Sequence, residues 1–242
     1  MIYAIGDVHG QLELLDLMLD SIAADFAALG RTDRPVLVLV GDYVDRGPDS
    51  KGVCDRLIAL RAASVDVSAF EIRTLMGNHE QTMLSFLDNA EAGPAWVEFG
   101  GGETLTSYGV SRPALRPEPD EWVEIQSQLR QKLPAEHLRF LQGLELSAAY
   151  GGYLFVHAGV RPGIALERQN SEDLMWIRGD FLSQPHRLDW VVVHGHTPAE
   201  EPFLGTDRIN IDTGAYATGV LTAVRLDGGP PTILQVRKTR RH

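Results

Sequence analysis

Five short apolar segments of this chain each end in residues that can bind a metal ion or transfer a proton. The segments are AIGDVHG, VLVGDYVDRG, TLMGNHE, LFVHAGV and VVVHGHTP, and their endings are spread from residue 5 to residue 198. Strands that finish together at one edge of a sheet can direct such side chains at a common point. Five such endings therefore predict a sheet whose strand ends share a polar site. The candidate site residues at these endings are Asp7, His9, Asp42, Asn78, His157 and His196.

The first ninety residues predict three repeats of strand, polar loop and helix. MIYAIG, RPVLVLVG and FEIRTLMG have the apolar pattern of strands. Helical spacing follows in residues 11–29, from residue 50 to about residue 62, and in HEQTMLSFLDNA. Asp49 or Ser50 can cap the second of these helices. Strands that alternate with helices in this way are typical of a parallel sheet.

Later segments predict a second sheet and an insertion. Strands are expected in YLFVHAGV, WVVVHGHTP, RINIDTGA, GVLTAVRLDG and PTILQVR; the last three are short and hairpin-like, which favours a more antiparallel sheet. Between the two sets, FGGGETLTSYG is rich in glycine and RPALRPEPDEW is charged and rich in proline, and EWVEIQSQLRQKL and PAEHLRFLQGL have helical patterns. We interpret residues 1–242 as a single domain with an inserted cap at about residues 93–145.

Composition and charge argue against several classes of protein. Lys and Arg number 22 against 33 Asp and Glu, and the formal charge of −11 disfavours a long nucleic-acid footprint or an anionic membrane surface. The longest apolar stretches have only the length of a strand, so no transmembrane helix is expected. Because the chain starts directly with the strand MIYAIG and shows no signal region, a cytoplasmic location is predicted. The single cysteine, Cys54, is predicted to be a buried thiol. The sequence does not indicate an oligomeric state.

The first two motifs supply carboxylate, imidazole and guanidinium groups in short loops. In GDVHG, Asp7 and His9 are two residues apart at the end of an extended segment, so their side chains share a face. In GDYVDRG, a loop between two glycines holds Asp42, Asp45 and Arg46 directly after a buried strand. Divalent metals of intermediate hardness accept carboxylate and imidazole together, and Asp42 is a candidate to bridge two ions. Asp45 is then a candidate to orient a neighbour, and Arg46 to bind phosphate.

The remaining motifs add an amide, a titratable histidine and two further imidazoles. In GNHE, the amide oxygen of Asn78 can bind a metal, and His79 titrates near neutrality and can donate a proton. His157 and His196 follow apolar strands, and either alone would be interpreted as a core histidine. The three upstream loops favour metal ligands instead, so the five motifs together predict a two-metal phosphoesterase site. His194 lies two residues before His196 and would face the same side of an extended strand, so spacing alone does not show which of the two binds metal.

In this order, GDVHG, GDYVDRG, GNHE, HAGV and HGHTP resemble the motifs of the calcineurin-like metallophosphoesterases, in particular the compact bacterial PPP-type serine/threonine protein phosphatases. The resemblance implies an α/β fold of four layers, α/β/β/α, in which a two-sheet β-sandwich is flanked by helices. It also implies two divalent metal ions, with manganese expected and iron or zinc as alternatives. The implied ligands form two sets: Asp7, His9 and Asp42 for one ion, and Asp42, Asn78, His157 and His196 for the other. The family motif reads Gly-His, which selects His196 over His194.

The same resemblance assigns roles in catalysis. His79 would be the general acid, steered by Asp45, and Arg46, Asn78 and Arg178 would bind phosphate oxygens. Arg178, in WIRGDF, has a looser motif, and an isolated arginine after a tryptophan is usually a packed or paired side chain. The implied reaction is an in-line attack on phosphorus by a water activated between two metal ions, without a phosphoenzyme. Because His79 must be protonated to act, activity is expected to have an upper pH limit.

Two substrate classes and one non-catalytic role are compatible with these motifs. The first expectation is phosphoserine or phosphothreonine in proteins, because GGGETLTSYG is similar to the bacterial protein phosphatases. The alternative is a small phosphoester, a dinucleoside polyphosphate such as diadenosine tetraphosphate. The short chain and the composition of residues 93–145 depart from the larger protein phosphatases, which leaves the protein substrate open. A non-catalytic phosphate-binding module would lack a metal ligand or the acid, whereas here every position is filled.

Overall fold

Two five-stranded sheets with helices on their outer faces form the protein, as seen in a computed structural model that describes residues 1–66, 70–114 and 116–238. The strands, in chain order, are β1 (Ile2–Ile5), β2 (Val36–Leu39), β3 (Glu71–Thr74), β4 (Ser147–Tyr150), β5 (Tyr153–Val156), β6 (Val191–His194), β7 (Phe203–Leu204), β8 (Arg208–Asn210), β9 (Val220–Leu226) and β10 (Thr232–Arg237). The α-helices are α1 (Leu12–Ala28), α2 (Ser50–Ala63), α3 (Asn78–Asp88), α4 (Gly93–Trp96), α5 (Gly102–Ser107), α6 (Pro119–Lys132), α7 (Ala135–Gln142), α8 (Ser171–Trp176), α9 (Gly179–Ser183) and α10 (Ala215–Thr218). A π-helical turn lies at Val97–Gly101, and 3-10 segments lie at Ala90–Ala92 and Leu166–Arg168. None of the helices among the described residues is both long and apolar enough to cross a membrane.

The first sheet carries the three repeats of strand, loop and helix predicted from the sequence. Its order is β10-β9-β1-β2-β3, and β1, β2 and β3 are parallel, with Ile2 opposite Val36 and Val36 opposite Glu71. Because these strands run in the same direction, the loops that follow them begin at the same edge. The predicted parallel arrangement is confirmed. The predicted cap of α2 is also present, since Asp49 Oδ1 accepts a hydrogen bond of 2.8 Å from the Gly52 amide.

The assignment of the last two strands to a second, more antiparallel sheet is wrong. GVLTAVRLDG and PTILQVR form β9 and β10, which lie at one side of the first sheet and pair antiparallel with β1 and with each other. The second sheet has the order β4-β5-β6-β8-β7, and its three central strands are parallel. Apolar alternation indicates which face of a strand is buried, but not which strand it pairs with. β9 is buried along nearly its whole length because it packs on the helical layer on one face and on the second sheet on the other.

Alternating side chains of the first sheet are buried in two different layers. Tyr3 and Ile5 of β1 face α1 and its neighbouring helices, whereas Ile2 and Ala4 face the second sheet. On the outer face of the second sheet, Leu154 of β5 packs in a third cluster with side chains of α8 and α9. The order helix, sheet, sheet, helix confirms the predicted four-layer α/β/β/α fold.

The helices within residues 93–145 extend the first helical layer. Trp96 of α4, Trp122 of α6 and Phe140 of α7 are buried in the same hydrophobic cluster as Phe86 of α3. The Phe86 ring centroid lies 5.0 Å from that of Trp96 and 6.2 Å from that of Trp122. Burying a large apolar side chain stabilises a fold by roughly 1.5–3 kcal/mol relative to exposure. These rings therefore hold the segment against α3 and, through it, against the first sheet.

A buried histidine links three of these helices. His137 of α7 is fully buried; its Nδ1 lies 2.8 Å from the Tyr108 hydroxyl, and its Nε2 lies 2.8 Å from an oxygen of Asp55 on α2. Tyr108 directly follows α5, and its ring also contacts the His137 ring edge to face. No sequence motif marks His137, because its partners come together only when α2, α5 and α7 pack. The predicted burial of Cys54 is confirmed, and burial raises the pKa of its thiol to about 12.

Replacing His137 with alanine is expected to lower the free energy of unfolding by about 2–4 kcal/mol, because it opens a cavity and removes one hydrogen-bond partner of the buried Tyr108 hydroxyl. Asp55→Asn is the matched control. The Asp55 side chain is 49% exposed, so water can replace the lost interaction, and we expect a loss below about 1 kcal/mol. Urea denaturation followed by circular dichroism measures both values. Equal losses for the two variants would contradict a specific role of the buried ring.

Candidate metal centre

The polar loops that follow the parallel strands meet at one edge of the two sheets and have an unusual backbone. Of the six non-glycine residues with positive φ in the described ranges, five lie in these loops. They are His9 (44°), Asp42 (54°), Asp45 (70°), Arg46 (66°) and His196 (63°). This conformation is unfavourable for residues with a Cβ atom and persists where the surrounding structure imposes it, commonly at functional sites. The strain is thus concentrated on the residues that the sequence motifs single out.

Two groups of buried side chains could each hold a metal ion, and Asp42 belongs to both. Ligand atoms of His9, Asp42 and His79 lie within 4.8 Å of one another, as do those of Asp42, His157 and His196. Asp42 presents a different oxygen to each group. Its Oδ2 is 3.5 Å from His9 Nε2, and its Oδ1 is 3.3 Å from His157 Nε2. A carboxylate in this position can bridge two ions.

Backbone carbonyls determine which ring nitrogen of two histidines faces the groups. His9 Nδ1 lies 2.9 Å from the Val44 carbonyl oxygen, and His157 Nδ1 lies 3.0 Å from that of Val40. A carbonyl can only accept, so Nδ1 of each ring donates and, in the neutral ring, Nε2 presents a lone pair to the site. Burial lowers the pKa of His9 to about 3, which keeps that ring neutral. Neutral imidazole is the form that binds metal ions.

Asn78 joins the second group through its amide oxygen. Asn78 Oδ1 lies 2.9 Å from His157 Nε2 and 2.8 Å from His196 Nδ1. Burial lowers the pKa of His196 to about 3, so this ring is also neutral. Burial alone would lower the pKa of His157, but Asp42 outweighs it and raises that pKa above the ordinary value. In the neutral His157 ring, which is the form that binds metal ions, the Nε2 lone pair and the amide oxygen of Asn78 would both be acceptors. A cation shared between them would stabilise this arrangement.

Asp7 reaches the second group through the backbone of His196. Its Oδ2 accepts a hydrogen bond of 3.0 Å from the His196 amide, whereas its Oδ1 is buried without a hydrogen-bond partner among the described residues. Asp7 lies outside the two groups of mutually close ligand atoms. A Cβ atom on Gly195 would come within 1.9 Å of Oδ1, so glycine is required there. A buried carboxylate oxygen without a partner is unfavourable unless a cation binds it.

The electrostatics of the site fit a pair of divalent cations. Burial, together with the charges of Asp212 and Asp42, raises the pKa of Asp7 well above its usual range. Burial also raises the pKa of Asp212 to about 6. Burial alone would raise the pKa of Asp42 too, but the facing histidines, His157 first, outweigh it and hold that pKa well below its usual range. Several buried carboxyl groups beside imidazole and amide acceptors form a donor set that intermediate divalent metals accept.

His79 is held by a buried carboxylate. Its Nδ1 lies 2.7 Å from Asp45 Oδ2, and its Nε2 faces Asp42 at 3.9 Å. Burial alone would lower the pKa of His79, but Asp42 and Asp45 outweigh it and raise the pKa above the ordinary value. Asp45 in turn accepts hydrogen bonds from Thr104 Oγ1 at 2.7 Å and from Trp96 Nε1 at 3.0 Å. The arrangement suits a general acid whose proton on Nε2 points into the site.

Both candidate arginines lie against histidines of the two groups. Arg46 donates from Nη1 to His9 Nε2 at 3.2 Å. Arg178 donates from Nε to His196 Nε2 at 2.9 Å and from Nη2 to the His196 carbonyl oxygen at 3.3 Å. The structure therefore brings Arg178 to the site despite its weak sequence context. Guanidinium groups in these places could bind phosphate oxygens, and that role remains a prediction.

Two buried carboxylates at the site have no role in the sequence analysis. Glu80, the last residue of GNHE, accepts hydrogen bonds from the backbone amides of the loop that carries Asp42. Asp212 follows the segment RINI at the end of β8, in which only Ile209 and Ile211 are apolar. The rule of an apolar run that ends in a polar ligand therefore did not select Asp212, whereas a rule that also accepted alternating strands would have included it. Glu80 has no comparable signal, since an acidic residue in the first turn of a helix is common.

The structure separates His194 and His186 from the two groups. The His194 ring contacts Phe181 edge to face at 5.0 Å, and its Nδ1 lies 2.9 Å from the Gly195 carbonyl oxygen. The His186 ring stacks on Phe181 with the ring centroids 6.2 Å apart, and its Nε2 lies 2.8 Å from the Asp207 carbonyl oxygen. Alternation along a strand could not distinguish His194 from His196, because the chain turns at Gly195, beyond the end of β6.

The sequence profile of the calcineurin-like phosphoesterase family matches residues 1–220, which is most of the chain. The chain belongs to this family. It is therefore a metallophosphoesterase, and its His/Asp groups are those that could bind the metal pair.

Relatives of this chain include proteins named bis(5'-nucleosyl)-tetraphosphatase PrpE (asymmetrical). The chain is 26% identical over 245 residues to the protein of Anoxybacillus flavithermus, an alignment that covers 93% of this chain and 90% of the relative. It is 28% identical over 239 residues to the protein of Geobacillus thermodenitrificans, covering 91% and 88%.

Solved structures show the same fold. A protein proposed to be a diadenosine tetraphosphatase superposes with a TM-score of 0.66 at 20% identity, covering 99% of this chain and 94% of that one. The cold-active protein tyrosine phosphatase of a psychrophilic Shewanella species superposes with a TM-score of 0.57 at 18% identity, covering 92% and 74%. At these identities the likeness concerns the fold alone.

The substitutions His196→Asn and His194→Asn form a matched pair that tests the second metal group. We expect His196→Asn to weaken divalent-metal binding and activity by roughly 10–100-fold, because it removes an imidazole that faces Asn78. His194→Asn should retain the metal content of the unmodified protein, since its ring packs against Phe181. Elemental analysis after equilibration with a divalent metal and gel filtration measures the bound ion. Metal loss from the His194 variant alone would refute the assignment.

Proposed function

We propose that the protein hydrolyses dinucleoside polyphosphates, with diadenosine tetraphosphate as the expected substrate, in a reaction that depends on two divalent metal ions. The observation that supports this most is the similarity to tetraphosphatases, which extends over 93% of this chain and 90% of the relative from Anoxybacillus flavithermus. His79 supports turnover rather than mere binding, because this member of the first group has the Asp45 carboxylate on Nδ1 and turns its Nε2 towards Asp42. A non-catalytic module would not need that acid.

This proposal reverses the order of the two substrates expected from the sequence. The expectation of a phosphoprotein substrate depended on GGGETLTSYG and its similarity to bacterial protein phosphatases. Thr104 of that segment donates a hydrogen bond to Asp45, and Gly100, its first residue, accepts one from the Arg46 amide. The segment therefore supports residues that any substrate of this centre would need. Its similarity to the protein phosphatases therefore reflects support of Asp45 and Arg46 more than the choice of substrate.

The chain's own residues have separable roles in the proposed reaction. When bound, the two ions, for which we propose manganese with iron or zinc as alternatives, supply an activated water and neutralise charge on the phosphate. Arg46, Arg178 and Asn78 hold phosphate oxygens at the two groups, which places the phosphorus for in-line attack. His79, held by Asp45, keeps a proton on Nε2 for the leaving oxygen.

The experiment that tests the proposed function compares metal-stripped protein with manganese-reconstituted protein on diadenosine tetraphosphate and on a phosphoserine peptide. We expect cleavage of the dinucleotide only after reconstitution, with a kcat/KM at least about tenfold higher than for the peptide, because several phosphates can contact the site rather than one. Nucleotide products are separated by ion-exchange chromatography, and orthophosphate release reports on the peptide. Preference for the peptide would favour a protein phosphatase, and inactivity on both would favour a binding module.

His79→Asn is expected to remove the alkaline limb of the pH–rate profile. The acid acts only while protonated, so activity of the unmodified protein should be present below the pKa of His79, which is raised above its ordinary value, and fall above it. A protonated acid assists a poor leaving group most. The loss should therefore be roughly 10²–10⁴-fold for phosphoserine, whose leaving group is an alkoxide, and smaller for the dinucleotide, whose leaving group is a phosphate oxygen. An unchanged profile in the variant would refute the acid assignment.

A further inference from the structure

Exposed aromatic side chains are concentrated at one end of the metal centre. Within the described ranges, three aromatic side chains are more than a third exposed: Phe99 (46%), Phe203 (44%) and Tyr216 (38%). Single exposed apolar residues are common on protein surfaces and need no explanation. Two of these three, however, belong to segments that contact Arg46. That clustering beside a candidate phosphate-binding residue suggests a function.

Tyr216 lies at the edge of the first metal group. It belongs to the short helix α10, which follows Asp212, and its ring contacts His9 edge to face at 5.2 Å. The Arg46 guanidinium carbon lies 4.6 Å from the centroid of the Tyr216 ring, a distance at which cation and ring attract each other. The tyrosine hydroxyl makes no hydrogen bond to any described residue, and the side chain remains 38% exposed. The ring is therefore positioned beside the phosphate-binding arginine and still open to a ligand.

Phe99 approaches Arg46 from a different part of the chain. It lies in the π-helical turn Val97–Gly101, where its carbonyl oxygen accepts from Arg46 Nε at 3.4 Å and the Gly100 carbonyl accepts from the Arg46 amide at 3.1 Å. A Cβ atom on Gly100, whose φ is +108°, would lie 2.7 Å from Arg46 Cγ. Close packing of the turn is thus achieved by backbone atoms. Phe99 is left 46% exposed in the turn whose backbone contacts the arginine.

The other end of the metal centre has no such open ring among the described residues. Trp176 lies 6.3 Å from the His196 ring, near Arg178, but it is only partly exposed, and its Nε1 donates to Gln81 Oε1 on α3 at 2.5 Å. That hydrogen bond fixes Trp176 in the wall between α8 and α3. The aromatic surface is therefore specific to the Arg46 end.

We propose that Phe99 and Tyr216 stack on the nucleobase of the nucleotide whose phosphate is held by Arg46. The inference rests on the proposed function and deepens it, since it names the residues that would recognise the nucleoside part of the substrate. Every base has a π face, and stacking on an aromatic side chain strengthens binding by roughly five- to 150-fold per base. A substrate without an aromatic group cannot use this surface, so the pair would favour nucleotides over phosphoserine.

The test measures how much the bases add to binding of the same phosphate chain. The assay follows hydrolysis of p-nitrophenyl phosphate by manganese-reconstituted protein at a fixed free manganese concentration. Diadenosine tetraphosphate and inorganic tetraphosphate are added separately as competitors, and an inhibition constant is measured for each. The inhibition constant of inorganic tetraphosphate divided by that of diadenosine tetraphosphate gives the contribution of the bases to binding. We expect Phe99→Ala and Tyr216→Leu each to lower this ratio about tenfold, with Tyr216→Phe close to the unmodified protein. Phe203→Ala is the matched control and should leave the ratio unchanged. Phe203 is a similarly exposed ring on the edge strand β7, where it contacts Arg208 of β8.

Each result decides for or against the aromatic pair. If Tyr216→Leu and Phe99→Ala weaken both competitors equally, the rings act only by holding Arg46, and the inference is overturned. An unchanged ratio in both variants, or a Phe203 variant with the same loss, also overturns it. The proposed function can fail separately: if the dinucleotide competes but is not cleaved, the stacking surface stands while the hydrolase assignment does not. Metal content and circular dichroism of each variant confirm that the fold and the centre are intact.

Discussion

The buried carboxylate of Glu80 is the contact on which the geometry of the metal centre depends most. It accepts hydrogen bonds from the backbone amides of Asp42 (2.9 Å), Tyr43 (2.7 Å), Val44 (3.1 Å) and Gly77 (3.0 Å). A carboxylate is costly to bury unless such donors surround it, and these four come from two adjacent loops. One side chain thereby joins the ends of β2 and β3 and holds Asp42 with φ at 54°. In that conformation Asp42 turns one oxygen to each metal group.

The segment of residues 93–145 completes this arrangement on the side of His79, the proposed general acid. Trp96 and Thr104 bind the two oxygens of Asp45, and Ser50 and Thr104 accept from the Asp45 amide at 3.0 and 2.9 Å. Asp45 and Arg46 are both in the left-handed region, so this support holds a strained pair of residues. The same segment also carries Phe99. We therefore interpret residues 93–145 as supporting the proposed acid and also forming part of the proposed substrate surface. A cap that only covered the site would not need these buried polar contacts.

The sequence predicted the parallel strands and where they end, because apolar runs that stop at polar residues determine both. It did not determine which sheet β9 and β10 join, since alternation encodes burial of a face and the pairing partner depends on packing far along the chain. Asp212 was missed because an Asp-Thr-Gly sequence is typical of an ordinary turn. Glu80 was missed because its partners are backbone amides, which leave no mark in the sequence. The choice of His196 over His194 needed the family motif; the structure gives the reason, which is the turn at Gly195 beside Asp7.

The buried negative charge of the site implies that metal binding stabilises the folded protein. Asp42 raises the pKa of both Asp7 and Asp212, and Asp212 raises that of Asp7. His157 and His79 offset the charge of Asp42, but His9 and His196 are too deeply buried to take a proton. Arg46 offsets part of this charge, but its guanidinium is also engaged by Tyr216 and by the Phe99 carbonyl. Divalent cations would remove the remaining repulsion without adding protons. Since a ligand that binds only the folded state stabilises it by mass action, the strained loops and the metals would support each other.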